Sequence, residues 1–378
     1  MIYMDYNATA PVHPEVLEAF LPFYRESFGN PSSIHQAGSR TRKAIEEARE
    51  KVASFLGCKP VEVVFTSSGT EADNMAVKGV AAARRSAGNH IVTTRVEHPA
   101  VLNACLYLEN NGFEITRLDV DESGIPDLGQ LEDSITGRTI LISAMYANNE
   151  TGTLLPAGEI GEIAARHGVP FHCDAVQAAG KIPVNCRELN TALLAISGHK
   201  LGAPQGIGAL VVRTGTKIQP LIHGGAQERN RRAGTENVAG IVALGKACEL
   251  AHGNLPEEAR RIGALRDRLE QGIIAAVAGV RINGDRERRL PNTANISFAG
   301  VAADSLLASL DLAGIALSSG AACSSGSLRT SHVLSAMGVE PELAKGSIRF
   351  SLGRENDEAQ VDSVLRALPA IVARLRRS

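Results

Sequence analysis

The sequence predicts an α/β protein, with a large domain built on a mostly parallel sheet and a smaller α+β domain. Three observations carry this. From about residue 40, short apolar runs alternate with amphipathic stretches, the text of repeated β-α-β units. Near HGNLPEEARR (252–261) the pattern gives way to a long charged helix, short strands and a Gly/Ser-rich loop. The length of 378 residues also exceeds the roughly 250–300 at which single cores stop growing. The expected large domain covers 15–255. Residues 1–14 and 256–378 are assigned to the small domain, which carries the loop 318–327.

RTRKAIEEAREKVASFLG (40–57) places Ile45, Ala48, Val52 and Phe55 or Leu56 on one face and reads as a helix ended by Gly57. VEVVF (61–65) reads as a strand and TEADNMAVKGVAAARR (70–85) as the next helix. HIVTT (90–94) is a strand, and AVLNACLYLENNG (100–112) a helix stopped by Gly112. FEITRLDV (113–120) is a strand, followed by a short helical stretch and the strand RTILISAMY (138–146). EIGEIAARHG (159–168) is a helix, and VPFHC (169–173), TALLAIS (191–197) and GIGALVVR (206–213) are strands.

Composition excludes several classes of function. Hydrophobic residues make up 44% and charged residues 21%, ordinary for a soluble globular chain. A net charge of −2 supplies no basic footprint for nucleic acid. No apolar run approaches the ~18–20 residues of a membrane span. An acid at Asp5 and prolines soon after make the N-terminus unlike a signal peptide. The cysteines at 58, 105, 173, 186, 248 and 323 form no CxxC pair. Such usage suits free thiols in a reducing compartment, and the expected location is cytoplasmic.

Candidate chemistry gathers after the strands, because ligands of open α/β sheets bind outside the carboxyl ends. Thr66-Ser67-Ser68-Gly69-Thr70-Glu71 follows the strand 61–65, and Glu97-His98-Pro99 follows 90–94. Asn148, Asn149 and Glu150 follow 138–146, Asp174 and Gln177 follow 169–173, and Gly198-His199-Lys200 follows 191–197. In a parallel sheet these segments face one edge.

Each has a chemical and a structural reading. SSGTE opens a helix, where free N–H groups and the positive dipole end suit a phosphate; it also reads as an N-cap with a capping box. SGHK sets Lys200 after a buried strand, a desolvated place from which an amine can form a Schiff base; it is equally a surface lysine. Asp174 is either an N-cap for 175–180 or the partner of a protonated pyridine nitrogen, since a buried carboxylate needs a cation. His98 enters a helix or stacks on an aromatic cofactor. Cys323, in SSGAACSSGS, is a tolerated loop thiol or an accessible reactive one.

Together SSGTEADN, SGHK, RRAGTEN and SSGAACSSGS, in this order and spacing, resemble the cysteine desulfurases of the NifS/IscS type, in the class V aminotransferase family. The likeness runs from Tyr3-Met4-Asp5-Tyr6-Asn7-Ala8-Thr9 nearly to the end. The long cysteine loop resembles the first group, which feeds iron–sulfur assembly. The resemblance implies the aminotransferase-like fold (fold type I) and a homodimer holding pyridoxal 5'-phosphate between its domains. By that likeness Lys200 binds the cofactor, Asp174 holds the pyridine nitrogen, Gln177 bonds the ring hydroxyl and His98 stacks on the ring and moves protons. Gly69, Thr70, Ser197 and His199 hold the phosphate, with Thr235 reaching in from the neighbouring subunit. Asn148 and Arg349 take the substrate carboxylate, Arg349 through its planar fork. Two departures are Ala226, where many members have glycine, and a C-terminus without the extended tail that helps dock the scaffold partner.

The implied reaction converts L-cysteine to L-alanine, with sulfur passing to Cys323 as a persulfide and then to an iron–sulfur scaffold or other acceptor protein. An iron–sulfur cluster in transit is the one metal role considered, at Cys323. The thiol needs a base, for which His98 is the candidate. Rival readings are a selenocysteine lyase or an aminotransferase on the same fold, and a non-catalytic sulfur or iron carrier.

Overall fold

The computed structural model describes residues 1–319 and 330–377. Local sequence accounts for most elements. The helix expected from residue 40 starts at Gln36, because His35 caps it: Nδ1 accepts the Gly38 N–H at 3.2 Å. It ends at Gly57, whose φ of +67° is the left-handed turn that glycine adopts without strain.

The strands in chain order are β1 (Ile2–Tyr3), β2 (Val63–Thr66), β3 (His90–Thr94), β4 (Glu114–Leu118), β5 (Thr139–Met145) and β6 (Phe171–Asp174). They continue with β7 (Leu193–Ser197), β8 (Gly208–Val212), β9 (Val280–Asn283), β10 (Thr293–Phe298), β11 (Ile315–Ala316) and β12 (Ser347–Ser351). Seven form one sheet in the order β2-β8-β7-β6-β5-β3-β4. Within it β8 alone runs against its neighbours; the other pairs are parallel. Both faces are buried, as parallel sheets require. Val63 and Phe65 pack on one side with the helices Gln36–Leu56 and Ala157–Arg166. Val64 packs on the other with Gly69–Arg84 and Pro99–Glu109.

A second core surrounds the antiparallel sheet β12-β10-β9 and includes Ile296, Phe350, Val361 and Leu368. Met4 belongs to it, and β1 pairs with β11. The long charged helix expected after residue 252 is the second half of one helix, Val238–Ala276, with Pro256 inside it. Its first half packs in the large core through Leu244 and Cys248, its second in the other through Ile262 and Leu269. HGNLPEEARR is therefore the solvated stretch between two buried ones, which is why its composition changes.

The strands β2, β6, β7 and β8 each begin two residues later than expected, and at β2 the cause is a turn. Pro60–Glu62 is a 3-10 turn, because the Glu62 carboxylate accepts the Lys59 N–H at 2.9 Å and the Thr214 N–H at 2.8 Å. No described helix is long and apolar enough to cross a membrane.

Candidate active site

Because β8 is the reversed strand, the carboxyl ends of β2, β3, β5, β6 and β7 share one edge. The five expected segments emerge there. Ser68 caps the helix Gly69–Arg84, with Oγ accepting the Glu71 N–H at 3.1 Å. The cap uses Ser68 and Glu71, so the first N–H groups of the helix, on Gly69 and Thr70, have no intrahelical acceptor. A Cβ on Gly69 would lie 2.7 Å from Val176 Cγ2 and 3.2 Å from Ser197 Cβ. Glycine thus lets this turn close on the buried end of β7. Thr70 is exposed. His199 Nδ1 lies 3.2 Å from Thr9 Oγ1, and burial, with Lys200 and Lys181 nearby, pushes its pKa down to about 4. Glu71 pairs with Arg232 at 2.9 Å, tying the RRAGTEN segment to this corner, while Thr235 in that segment is exposed.

Asp174 ends β6 and is buried. Its Oδ1 accepts the Val176 N–H at 2.9 Å, the turn-capping bond. Burial pushes the carboxyl up to about 6, against the lowering by that N–H and by Lys200. Gln177 donates from Nε2 to Asn7 O at 3.0 Å. Lys200, in the turn Gly198–Lys200, donates from Nζ to Ala8 O at 2.6 Å and to Asn7 O. The catalytic lysine expected from SGHK and the Asp174 carboxyl are thus close enough to perturb each other.

His98 caps the helix Pro99–Glu109, with Nδ1 accepting the Ala100 N–H at 3.1 Å. Burial, Lys200 and His332 push its pKa down to about 4. The neutral ring whose Nδ1 accepts carries its proton on Nε2. With Nδ1 taken up by the cap, His98 presents an Nε2–H donor.

Arg349, on β12 and buried, donates from Nη1 to Asn149 O at 2.9 Å and from Nη2 to Asp5 Oδ1 at 2.8 Å. Among the described residues its Nε has no hydrogen-bond partner. Asn148 donates to Val96 O at 3.0 Å and accepts the Glu150 and Thr151 N–H groups at 2.9 and 3.0 Å. Both ends of its amide shape the turn that brings Asn149 O to Arg349. Cys323 lies outside the described residues. The residues flanking its loop are rooted at the site: the Arg349 N–H bonds Ser318 O at 2.7 Å, and Ser331 Oγ donates to Glu150 Oε2 at 2.5 Å. Cys105, Cys173, Cys186 and Cys248 are buried.

Sequence reasoning passed over Asn7 and Lys181, which bond Lys200 and Gln177 from outside the strand ends. It also passed over Asp73 and His172, a buried pair with Oδ1 and Nε2 3.5 Å apart. Asp73 stands in the quoted SSGTEADN motif, but nothing local shows that helix and strand meet there.

The sequence matches the aminotransferase class-V family over residues 2–364. It is 53% identical over 375 residues to the protein named cysteine desulfurase IscS of Dictyoglomus turgidum, covering 99% of this chain and 95% of that one. A solved NifS-like protein superposes with a TM-score of 0.94 at 40% identity, covering 99% of this chain and 100% of the other. The NifS-like protein of Rickettsia africae ESF-5 gives 0.89 at 35% identity, covering 99% of each chain. The five strand ends, the lysine turn and these likenesses agree: the chain belongs to the aminotransferase class-V family, as an enzyme of its cysteine desulfurase branch.

Proposed function

We propose that the protein binds pyridoxal phosphate at this edge and moves sulfur from L-cysteine to Cys323, leaving L-alanine. The observation that carries the reading is Lys200 at the sheet edge within electrostatic reach of a buried Asp174. The residues present fit the cofactor. Gly69 lets the turn that carries its N–H close on Val176 and Ser197 at the sheet edge, Asp174 is a buried carboxyl suited to a cationic ring nitrogen, and Arg349 Nε has no partner among the described residues. Bound there, the cofactor supplies an electron sink for the bonds at the substrate Cα.

The chain's own groups divide the work. The N–H groups of Gly69 and Thr70, with Ser197 and His199, hold the phosphate, joined by Thr235 from a second copy in a homodimer. Asp174 keeps the ring nitrogen protonated, Gln177 donates to the ring hydroxyl and His98 stacks. Lys200 Nζ would hold the cofactor, and its free amine would take the Cα proton of L-cysteine. Arg349 binds the substrate carboxylate from the turn that Asn148 shapes. The Cys323 thiolate then forms an S–S bond to the substrate sulfur as the Cβ–S bond breaks. That electron pair returns to Cβ, which takes up a proton, and the Lys200 ammonium would return a proton to Cα, completing L-alanine. The persulfide goes to an acceptor protein for iron–sulfur assembly, in the cytoplasm. We read the two cores as two domains, 15–255 and 1–14 with 256–378.

Borohydride reduction of the protein with pyridoxal phosphate, followed by peptide mass mapping, tests the assignment. The reduced adduct is expected on Lys200. An adduct on Lys181 instead, or no adduct in protein that releases alanine from L-cysteine, would end this reading.

A further inference from the structure

We propose that Lys181 is a positioning residue: it locks the Gln177 amide so that its NH2 end faces the ring hydroxyl, and Asn7 ties this lock to Lys200. The inference rests on the assignment of Gln177 proposed above.

The geometry is a closed set of donors and acceptors. Lys181 Nζ donates to Gln177 Oε1 at 2.6 Å and to Asn7 Oδ1 at 3.1 Å. A carboxamide presents oxygen at one end and two N–H groups at the other. With Nζ donating to both Gln177 Oε1 and Asn7 Oδ1, a flipped Gln177 amide would lose the Nζ bond and its own Nε2 bond to Asn7 O together. One Nε2 hydrogen goes to Asn7 O at 3.0 Å, and the second is left for the site. The Asn7 amide is held in turn: Oδ1 also accepts from Asn292 Nδ2 at 3.0 Å, and Nδ2 donates to Thr293 Oγ1 at 2.9 Å. Asn7 O accepts from both Gln177 Nε2 and Lys200 Nζ. Reversing any one of these amides would break contacts at both of its ends.

A lysine with a merely structural task usually runs its stem along the surface and leaves its charge in water. Lys181 ends instead on two amide oxygens, in the wall of a cavity of about 360 Å³ that Lys200 also lines. Burial and the nearby cations Lys200 and Arg349 push its pKa well down. An amine kept there against desolvation and repulsion is doing something that a shorter or apolar side chain could not.

The test uses the full chain loaded with pyridoxal phosphate, reading the cofactor dissociation constant and the absorption bands of the bound cofactor. Those bands respond to a hydrogen bond at the ring hydroxyl and not to general stability. Gln177→Ala is expected to weaken binding and shift the bands. Lys181→Met is expected to weaken binding roughly tenfold, the worth of one hydrogen bond left unmade in a buried site, with the same band shift. The double variant should be no worse than Gln177→Ala alone, because Lys181 acts through Gln177, and Lys181→Arg should recover most of the loss. Wild-type binding and bands in Lys181→Met, or additive losses in the double variant, would overturn the proposal while leaving the Gln177 assignment standing. An unchanged Gln177→Ala would instead remove that assignment, and this inference with it. Should Lys181→Met fail to fold, Gln177→Glu keeps the Lys181 contact but replaces the NH2 end by oxygen. It is expected to lose binding as Gln177→Ala does, and wild-type binding there would overturn the amide direction.

Discussion

Replacing Asp174 by asparagine separates what this carboxyl does for folding from what it does for chemistry. Asp174→Asn keeps the shape and the acceptor for the Val176 N–H, bonded at 2.9 Å, and removes the charge. In the cofactor-free protein burial raises the carboxyl from 3.8 to about 6. A folded pKa above the unfolded one means stability is whole below pH 3.8 and is lost as the pH rises through about 6. The gap is about 2 units, each worth about 1.4 kcal/mol, so the ionised carboxylate costs the empty protein up to about 3 kcal/mol. Asp174→Asn is therefore expected to stabilise cofactor-free protein by up to about 3 kcal/mol near pH 8, with the gain fading toward about pH 4. In the loaded protein the sign reverses. A pyridinium left without its buried partner costs about 3 kcal/mol or more, roughly a hundredfold in cofactor affinity. Urea unfolding of both proteins across this pH range, with and without cofactor, measures both terms. If the empty variant is no more stable than wild type near pH 8, Asp174 is not an isolated buried charge and the argument for its cationic partner fails.

Cys323→Ser should leave cofactor binding intact and abolish both alanine release and protein-bound persulfide. Cys105, Cys173, Cys186 and Cys248 are buried, and the half-buried Cys58 has its thiol pushed up by the hydrogen bond with Cys186 and by burial, so these are poorly placed to stand in as the sulfur carrier. Mass spectrometry after brief exposure to L-cysteine checks this, and wild-type alanine production by the variant would replace transfer to Cys323 with direct release of sulfide. Gly69→Ala should cost about 1–3 kcal/mol through the forced contact with Val176 and reduce the preference for pyridoxal phosphate over pyridoxal. Equilibrium dialysis with both ligands reads that preference; an unchanged ratio would mean that the phosphate sits elsewhere.

The alternation of strand and helix from about residue 40 to residue 212 was legible in the sequence because both periods are local. An apolar run such as LLAIS, or a face such as Ile45, Ala48 and Val52, records within a few residues what it packs against. Placing Gly69, Asp174, Gln177 and Lys200 at one edge required only the further rule that parallel strands end together. The reversal of β8 was not legible, since an isolated apolar strand carries no direction and the pairing with β2 and β7 supplies it. Nor was the continuity of Val238–Ala276 through its polar middle, which exists because two separate cores grip its two halves. Asn7 meets Gln177 170 residues away and Arg349 meets Asp5 344 residues away. Contacts at such separations leave no period in the chain. The sequence by itself determined which residue types stand at the strand ends, because strand and helix periods are short-range. Only the tertiary structure decided which amide faces Lys181, which nitrogen of His98 holds its proton and which carbonyls receive Lys200, because packing sets those directions.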